Sequence, residues 1–396
     1  MGVVFKPFFR ILTLVGKELT QVARQPMMLL AMVLGPFLIL LIFGVGHRSS
    51  APPLRVALVI PTSVPLTRDP AFWRSRFGSS IQVVSVTSEQ NSAVTNLKAG
   101  QVDLAVIVPA NATADWSSGR SATIQVLHDQ ISPSQNAYLG YASYVLASEI
   151  NKQLIARVAT RLEQNAGALR SLAPSIPPSV LASPFTSRTQ SILPVQPGFV
   201  AFYSPAVIAL LLQHLTITIV ALSLVGERLL GMIELYQVAP TSTLGLLAGK
   251  YVSYGIMSLG IGAVLTVLMI QFLQVPVTGN PVLFAAVLAL LVFTSLGIGL
   301  VISTISSSQE HAVQLSMLIL LASVFFSGFF LPLDTLQAPA TFISDVLPVT
   351  YAISALQDIM FRGRLLNDNA LLTLGAMALG FLILNVRLYN NQLSRQ

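Results

Sequence analysis

One segment of this sequence resembles a nucleotide-binding motif, but it lacks residues that such binding needs. GLLAGKY, at 245–251, resembles a phosphate-binding loop, whose pattern is G-x-x-x-x-G-K-[ST]. Here only three residues separate Gly245 from Gly249, and Tyr251 stands where the Mg²⁺-binding hydroxyl belongs. The segment also lies at the start of an apolar run. We therefore predict no nucleotide site on this chain.

The adjacent pair Glu310-His311 is the other candidate for chemistry, as an acid next to a base. Catalysis needs a third group to orient such a pair, so a solvated polar turn is the simpler interpretation. The sequence has no H-E-x-x-H and no G-x-S-x-G motif. It also has no Cys, which excludes a disulfide or a Cys-based metal site. We predict no catalytic residue, no metal and no cofactor on this chain.

The amino-acid composition indicates that much of this chain lies within a lipid bilayer. Of 396 residues, 54% are hydrophobic and 9% are charged, whereas about a quarter are charged in a soluble domain. The net charge of +7 could suggest nucleic acid. However, the basic residues are spread along the chain instead of being clustered with base-stacking aromatics. We predict a membrane protein that does not bind nucleic acid.

Six apolar runs are long enough to cross a bilayer, which takes about 20 residues of helix. The first run, 27–46, exceeds the 7–15 apolar residues of a signal peptide and has no A-x-A cleavage site after it, so we predict a retained span. The other five runs follow a long gap. They are 202–225, 244–272, 282–305, 313–331 and 370–386.

The distribution of basic residues predicts the orientation of the chain. Six spans place both termini on one side, and the basic residues of the first 26 put that side in the cytoplasm. Arg228, Lys250 and Arg387 then also fall inside. Arg362 and Arg364 fall outside, in mild conflict with the rule, although several aspartates lie in the same segment. We predict a multi-pass protein of a prokaryotic inner (plasma) membrane.

Residues 47–200 are predicted to form an extracytoplasmic α/β domain between the first and second spans. Short runs rich in β-branched residues, bounded by Gly, Pro, Asn or Asp, predict strands. The segment 88–100 predicts a helix, and 171–198, rich in Pro and Ser, predicts a linker or tether. The predicted strands are 54–60, 81–86, 102–108 and 122–128.

A long helix is predicted from Ser134 to about Arg170. Its apolar side chains recur at helical spacing, which predicts one buried stripe. The members of that stripe are Tyr138, Tyr141, Val145, Ile150, Leu154 and Val158.

The segment 226–243, GERLLGMIELYQVAPTST, joins the second and third spans and predicts a short amphipathic helix. Leu229, Met232, Ile233 and Tyr236 recur at helical spacing, and Pro240 lies beyond them. Such a helix could transmit movement from a soluble partner to two spans at once. An ordinary interfacial helix fits the same residues equally well.

Polar residues in the second span are candidates for a substrate path. Gln213 and Thr216 share one helical face, and His214 lies beside it. Polar side chains within a bilayer either line a wet path or hydrogen-bond a neighbouring helix, and the sequence leaves both open. Our hypothesis is that this face lines an interface between two protomers through which substrate passes.

Three segments together resemble the ABC-2 type permeases of ATP-binding-cassette exporters, whose usual motif is close to ERERGTLEQLLVTP…LLLGK. This sequence has GERLLGMIELYQVAP at 226–240, followed by Gly249-Lys250. KEL…RQP at 17–26 is similar to the KEL…RDP of the family. The segment 327–363 is similar to the SGFxxP…TY region, except that Gln357-Asp358 stands where Arg is usual. The resemblance covers nearly the whole chain.

The resemblance implies two permease subunits, identical or different, each with its own ATP-binding subunit that carries ATP and Mg²⁺. The segment 226–240 would then be a coupling helix, the amphipathic N-terminal helix 1–26 would add to the same contact, and 332–362 would form re-entrant helices. The implied contact residues are Glu227, Arg228, Gly231, Glu234 and Pro240 in the coupling helix, and Lys17, Glu18 and Arg24 in the N-terminal helix.

The fold class that we predict is a polytopic α-helical membrane protein with six spans and an α/β insert. Residues 201–396 form its five-helix transmembrane domain. The predicted function is that of an ABC exporter permease, a homodimer in multidrug efflux or a related process, which moves a drug, a lipid or a lipid-linked compound. A periplasmic adaptor is a further partner to consider. The alternative is a membrane-anchored receptor that binds a ligand through its external domain.

Overall fold

The computed structural model describes residues 53–77, 80–164, 180, 182–232, 243–366 and 369–394. The predicted N-terminal helix and first span lie outside these residues, as do Glu234 and Pro240. The described residues form a sheet domain, which we define as residues 53–191, followed by a bundle of long apolar helices.

The sheet domain is built on five strands in the order β2-β1-β3-β4-β5, in which only β3 and β4 are antiparallel. Four helices connect or cover the strands. The strands are β1 Leu54–Val59, β2 Ile81–Thr87, β3 Leu104–Ile107, β4 Ala122–His128 and β5 Phe185–Ser191. The helices are α1 Pro70–Arg76, α2 Gln90–Lys98, α3 Ala112–Ser117 and α4 Pro133–Gln164.

Both faces of the sheet are covered by helices, which explains why the middle of β1 and the whole of β3 are apolar. Val56 and Leu58 of β1 join the core beneath α1 and α4. Ala57 and Val59, which point the opposite way, join the core beneath α2. A strand buried on both faces is expected to be a continuous apolar run, as in β1 and β3, whereas β2 and β4 alternate buried and exposed residues over their first half.

Two sequence expectations for this domain were wrong. β5, FTSRTQS, lies inside the predicted linker, and it escaped prediction because only Phe185 of its side chains is buried. In α4 the buried stripe starts one residue later than predicted, at Leu139. Tyr138 and Tyr141 are therefore exposed, whereas Ile150 and Leu154 are buried as expected.

Five described helices are long and apolar enough to span a membrane. Four shorter described elements lie between the fourth and the fifth of these helices. The long helices are α5 Phe199–Leu229, α6 Thr243–Phe272, α7 Pro281–Ile305, α8 Gln309–Phe326 and α11 Asn369–Ser394. The shorter elements are α9 Ala340–Val346, α10 Pro348–Gln357, a 3-10 turn at Leu333–Thr335 and a π turn at Asp358–Arg362.

The long helices alternate in direction, so the bundle has two distinct ends. At the sheet-domain end, the Thr278 hydroxyl donates to the Met360 carbonyl oxygen at 2.6 Å, which ties the loop after α6 to the π turn. At the other end, which we call the Arg228 end, the termini of α5, α6, α7 and α8 meet. The segment between Pro332 and Arg362 is thus on the same side as the sheet domain.

Candidate functional site

The predicted coupling segment begins in the last turn of α5, and its first charged residue is paired within the chain. Lys250 of α6 is buried to 8% exposure, and its Nζ lies 2.5 Å from the Glu227 Oε2. A buried ammonium requires such a partner, since an unpaired charge in an apolar setting is costly. Glu227 therefore fixes α5 to α6 at the Arg228 end.

The Arg228 guanidinium also links α5 to another helix, in this case α7. Its Nη1 donates to the Ser306 carbonyl oxygen at 2.9 Å, and its Nη2 donates to that of Ser303. These carbonyls belong to the C-terminal turn of α7, where intrahelical partners are missing and the helix dipole favours a cation. Three spans, α5, α6 and α7, are therefore held together by two neighbouring residues.

Gly231 ends α5. Its φ of +74° is in the left-handed region, which glycine adopts without strain. The Gly231 N–H donates to the Arg228 carbonyl oxygen at 3.1 Å, and the Leu230 N–H donates to that of Gly226 at 3.0 Å. The residues that the sequence assigned to one amphipathic helix are therefore divided, because Glu227 and Arg228 belong to α5.

The three predicted path residues lie in the middle of α5. Gln213 is 1% exposed, and its Nε2 donates to the Ser323 hydroxyl of α8 at 2.9 Å. Thr216 is also 1% exposed, and His214 is half-buried. Among the described residues, no hydrogen-bond partner is present for the Gln213 Oε1, the His214 Nδ1 or the Thr216 Oγ1. Of the two open interpretations, the contact with a neighbouring helix is realised for the Gln213 amide nitrogen and for His214, which hydrogen-bonds the Ser316 backbone of α8.

A second charged cluster, absent from the sequence prediction, joins the sheet domain to the bundle. The Asp129 Oδ2 lies 2.9 Å from the Arg364 Nη2 and 3.5 Å from the Arg362 Nε. The Arg362 Nη2 also donates to the Asp129 carbonyl oxygen at 2.9 Å, and Nη1 pairs with Asp358. The other Asp358 oxygen accepts from the Leu366 N–H at 2.9 Å. We call Asp129, Asp358, Arg362 and Arg364 the interface charge cluster.

Burial dominates the electrostatics of this cluster. It raises the pKa of the Asp129 carboxyl above its ordinary value, while Arg362 and Arg364 act in the opposite direction. The same pairing accounts for the two arginines that conflicted with the orientation rule, because their charges are offset by Asp129 and Asp358. The sequence carried one signal for this cluster, namely that charges beside apolar segments need partners.

The pair Glu310-His311 lies in the first turn of α8, where the Ser308 hydroxyl accepts from the His311 N–H at 3.2 Å. This is an N-terminal helix cap. No cluster of three or more potential metal ligands is present among the residues that the structure describes.

These helices and their internally paired charges define the class of protein: a multi-pass helical membrane protein. The sequence model of one family, described as "ABC-2 family transporter protein", matches residues 26–387. The chain belongs to this family. Its members work with an ATP-binding subunit, so the chain is an ABC transporter permease.

Curated relatives agree with this assignment. The probable multidrug ABC transporter permease YbhS of Escherichia coli K12 is 24% identical over 90% of this chain and 89% of its own length. The inner membrane transport permease YhhJ of Escherichia coli K12 is 26% identical over 70% of this chain and 69% of its own. ABC transporter G family member 20 of Dictyostelium discoideum is 25% identical over 57% of this chain, which spans 30% of that longer protein.

Proposed function

We propose that this chain is the permease subunit of an ATP-driven exporter for a hydrophobic or amphipathic compound. An ATP-binding subunit docks at the Arg228 end, and a second permease subunit, identical or not, completes the path. The observation that carries the proposal is the pairing at the end of α5: Glu227 holds α6 and Arg228 holds α7. A force applied just beyond Gly231 therefore reaches three spans together.

The distribution of charge supports a cytoplasmic Arg228 end. Arg228, Lys250 and Arg387 lie towards this end of the spans, as the positive-inside rule requires. At the opposite end the basic residues Arg362 and Arg364 are offset by carboxylates. The sheet domain is then extracytoplasmic, and both termini are cytoplasmic.

The unpaired polar atoms of Gln213, His214 and Thr216 support a transport path beside α5. Buried polar atoms without partners are uncommon, and within a bilayer they are costly. Because these atoms are buried within the single chain, water or cargo would supply the missing partners only when α5 and α8 separate. Replacement of Gln213 and His214 by Leu should then reduce export without reducing assembly, and unchanged transport in this variant would count against the path.

The coupling role of Glu227 can be separated from its pairing role by a charge exchange. The wild-type chain and the variants E227K, K250E and E227K/K250E are purified from native membranes, and co-purification of an ATPase and ATP hydrolysis are measured. Each single variant replaces the buried ion pair with two like charges, and breaking a buried pair costs about 3–5 kcal/mol. The double variant restores the pair with the charges exchanged.

Recovery of coupling in E227K/K250E means that Glu227 acts by fixing α6. A persistent loss of the ATPase means that Glu227 also contacts that subunit directly. Both results support docking at this end. If the wild-type chain recovers no ATP-hydrolysing partner, or if both single variants hydrolyse ATP and transport like the wild type, the proposed function is wrong.

A further inference from the structure

A cavity of about 450 Å³ lies between the sheet domain and the sheet-domain end of the bundle. Its roof is the segment 130–135, which comprises the end of the β4–α4 connection and the first turn of α4. Its walls come from α5, α10 and the segment 327–334. A cavity of this size is typical of a site for a small organic molecule. None of the roles derived above for this chain uses it.

The apolar part of the cavity wall is aromatic. Tyr203 and Phe329 pack edge to face, with ring centroids 5.7 Å apart, and Phe330 is 58% exposed beside them. The Ser327 hydroxyl, from a side chain with 0% exposure, has no hydrogen-bond partner among the described residues. The wall can therefore contact a ring system.

The two charged side chains in the cavity wall differ in whether they have a counter-ion within the chain. Arg362 lines the cavity, but its guanidinium is already shared between Asp129 and Asp358. Asp334 also lines the cavity, and within the described part of the chain it has no ion-pair partner. Its carboxylate is held by its own N–H and that of Thr335. The charge left without a counter-ion is therefore negative.

We propose that this cavity binds an organic cation with an apolar, ring-containing body, a substrate class that rests on the proposed exporter function. The Asp334 carboxylate would attract the cationic centre. The faces of Tyr203, Phe329 and Phe330 would contact the body, and an aromatic face adds attraction for a cation within about 6 Å. An organic anion is disfavoured, because Arg362 is already paired.

The test uses two probes of nearly equal size and opposite charge, tetraphenylphosphonium and tetraphenylborate. Equilibrium dialysis of the labelled ions is run against the purified full-length chain in detergent, with empty micelles as the blank. We expect saturable binding of the phosphonium and at least tenfold weaker binding of the borate. D334N should weaken phosphonium binding about tenfold, as expected for a lost ion pair that is partly shielded from water.

The matched control is D345N, which removes an exposed carboxylate on α9 that does not line the cavity. It should leave phosphonium binding unchanged. Because Asp334 forms no ion pair with the described residues, D334N should elute and melt like the wild type. Equal phosphonium affinity in D334N, equal binding of both ions, or no saturable phosphonium binding by the wild type would each overturn the proposal.

This measurement needs no ATPase, so it separates two kinds of failure. Phosphonium binding that depends on Asp334, in a chain that recovers no ATP-hydrolysing partner, would leave the site standing and refute the exporter role. An ATPase-coupled chain without such binding would refute the site alone.

Discussion

His128 is a buried titratable group at the end of β4, 3% exposed, where its Nδ1 accepts from the Gln130 N–H at 3.3 Å. Burial lowers the pKa of its imidazole below the ordinary 6.5. The unfolded chain therefore takes up a proton at pH values where the folded imidazole is still neutral. It follows that the free energy of unfolding of the sheet domain falls as the pH drops below 6.5.

We predict that H128Q removes this part of the pH dependence, because glutamine does not titrate. Both tryptophans of the chain, Trp73 and Trp116, lie in the sheet domain, so tryptophan fluorescence reports its unfolding selectively. The melting temperature of the wild type should fall more than that of H128Q between about pH 7.5 and pH 5.5. Parallel decreases in the two proteins would contradict the prediction.

At the scale of elements, α7 and α11 pack at a distance that only glycine permits. A Cβ built on Gly297 would lie 2.4 Å from the Phe381 Cβ. The close approach lets the Asn385 Nδ2, in a fully buried side chain, donate to the Gly297 carbonyl oxygen at 2.9 Å. Hydropathy gives no reason for Asn385 in the last predicted span, and this contact supplies one.

We predict that G297A destabilises the bundle by about 1–3 kcal/mol, because α11 must move away and the Asn385 contact is strained. The control is G260A in α6, where an added Cβ meets nothing within 4 Å. That variant should be neutral or gain up to about 1 kcal/mol of helix propensity. Thermal unfolding in detergent, followed by far-UV circular dichroism, compares the two. Equal melting temperatures would show that the two helices adjust freely.

The sequence predicted most readily those elements that carry apolar side chains on every face. β1 and β3 are apolar on both faces, and five spans are apolar on all sides, so composition alone indicated them. β5 is an edge strand with one buried side chain, and its place in the sheet depends on pairing with β4. The start of the α4 stripe was also wrong, because tyrosine fits a buried and an exposed face equally well.

In the candidate site, too, some residues could be predicted from the sequence and others could not. Glu227 and Arg228 were identified from a local motif, but their partners Lys250 and Ser306 lie on other helices. Pairing across helices depends on rotation and depth, which hydropathy does not specify. The Asp129–Arg362 contact joins residues 233 positions apart, and no local pattern relates them.

At the scale of the whole molecule, the interface charge cluster is the charged link between the sheet domain and the bundle. The side chains of Asp129, Asp358 and Arg362 are each 9–11% exposed, whereas that of Arg364 is 40% exposed. Leu366 adds an apolar contact, with its Cδ2 3.4 Å from the position of a Cβ on Gly100. Movement of the segment after α10 would therefore be transmitted to the sheet domain.

We predict that R362M loosens this interface while the sheet domain stays folded, because the substitution leaves Asp129 and Asp358 as buried carboxylates without a buried cation. Breaking a buried pair in this way costs about 3–5 kcal/mol. Amide exchange in 128–132 and 358–366 should therefore rise at least a hundredfold, provided that these segments exchange through local opening. The melt of the sheet domain by tryptophan fluorescence should barely shift.

Two further variants make the result specific to charge pairing. R188M, at an exposed arginine on β5, should leave amide exchange at the interface unchanged. D358N/R362M removes the carboxylate that R362M leaves without its ion-pair partner and should recover part of the protection, whereas a purely steric role for Arg362 predicts no recovery. Unchanged exchange in R362M would mean that apolar contacts such as that of Leu366 hold the sheet domain in place without the charges.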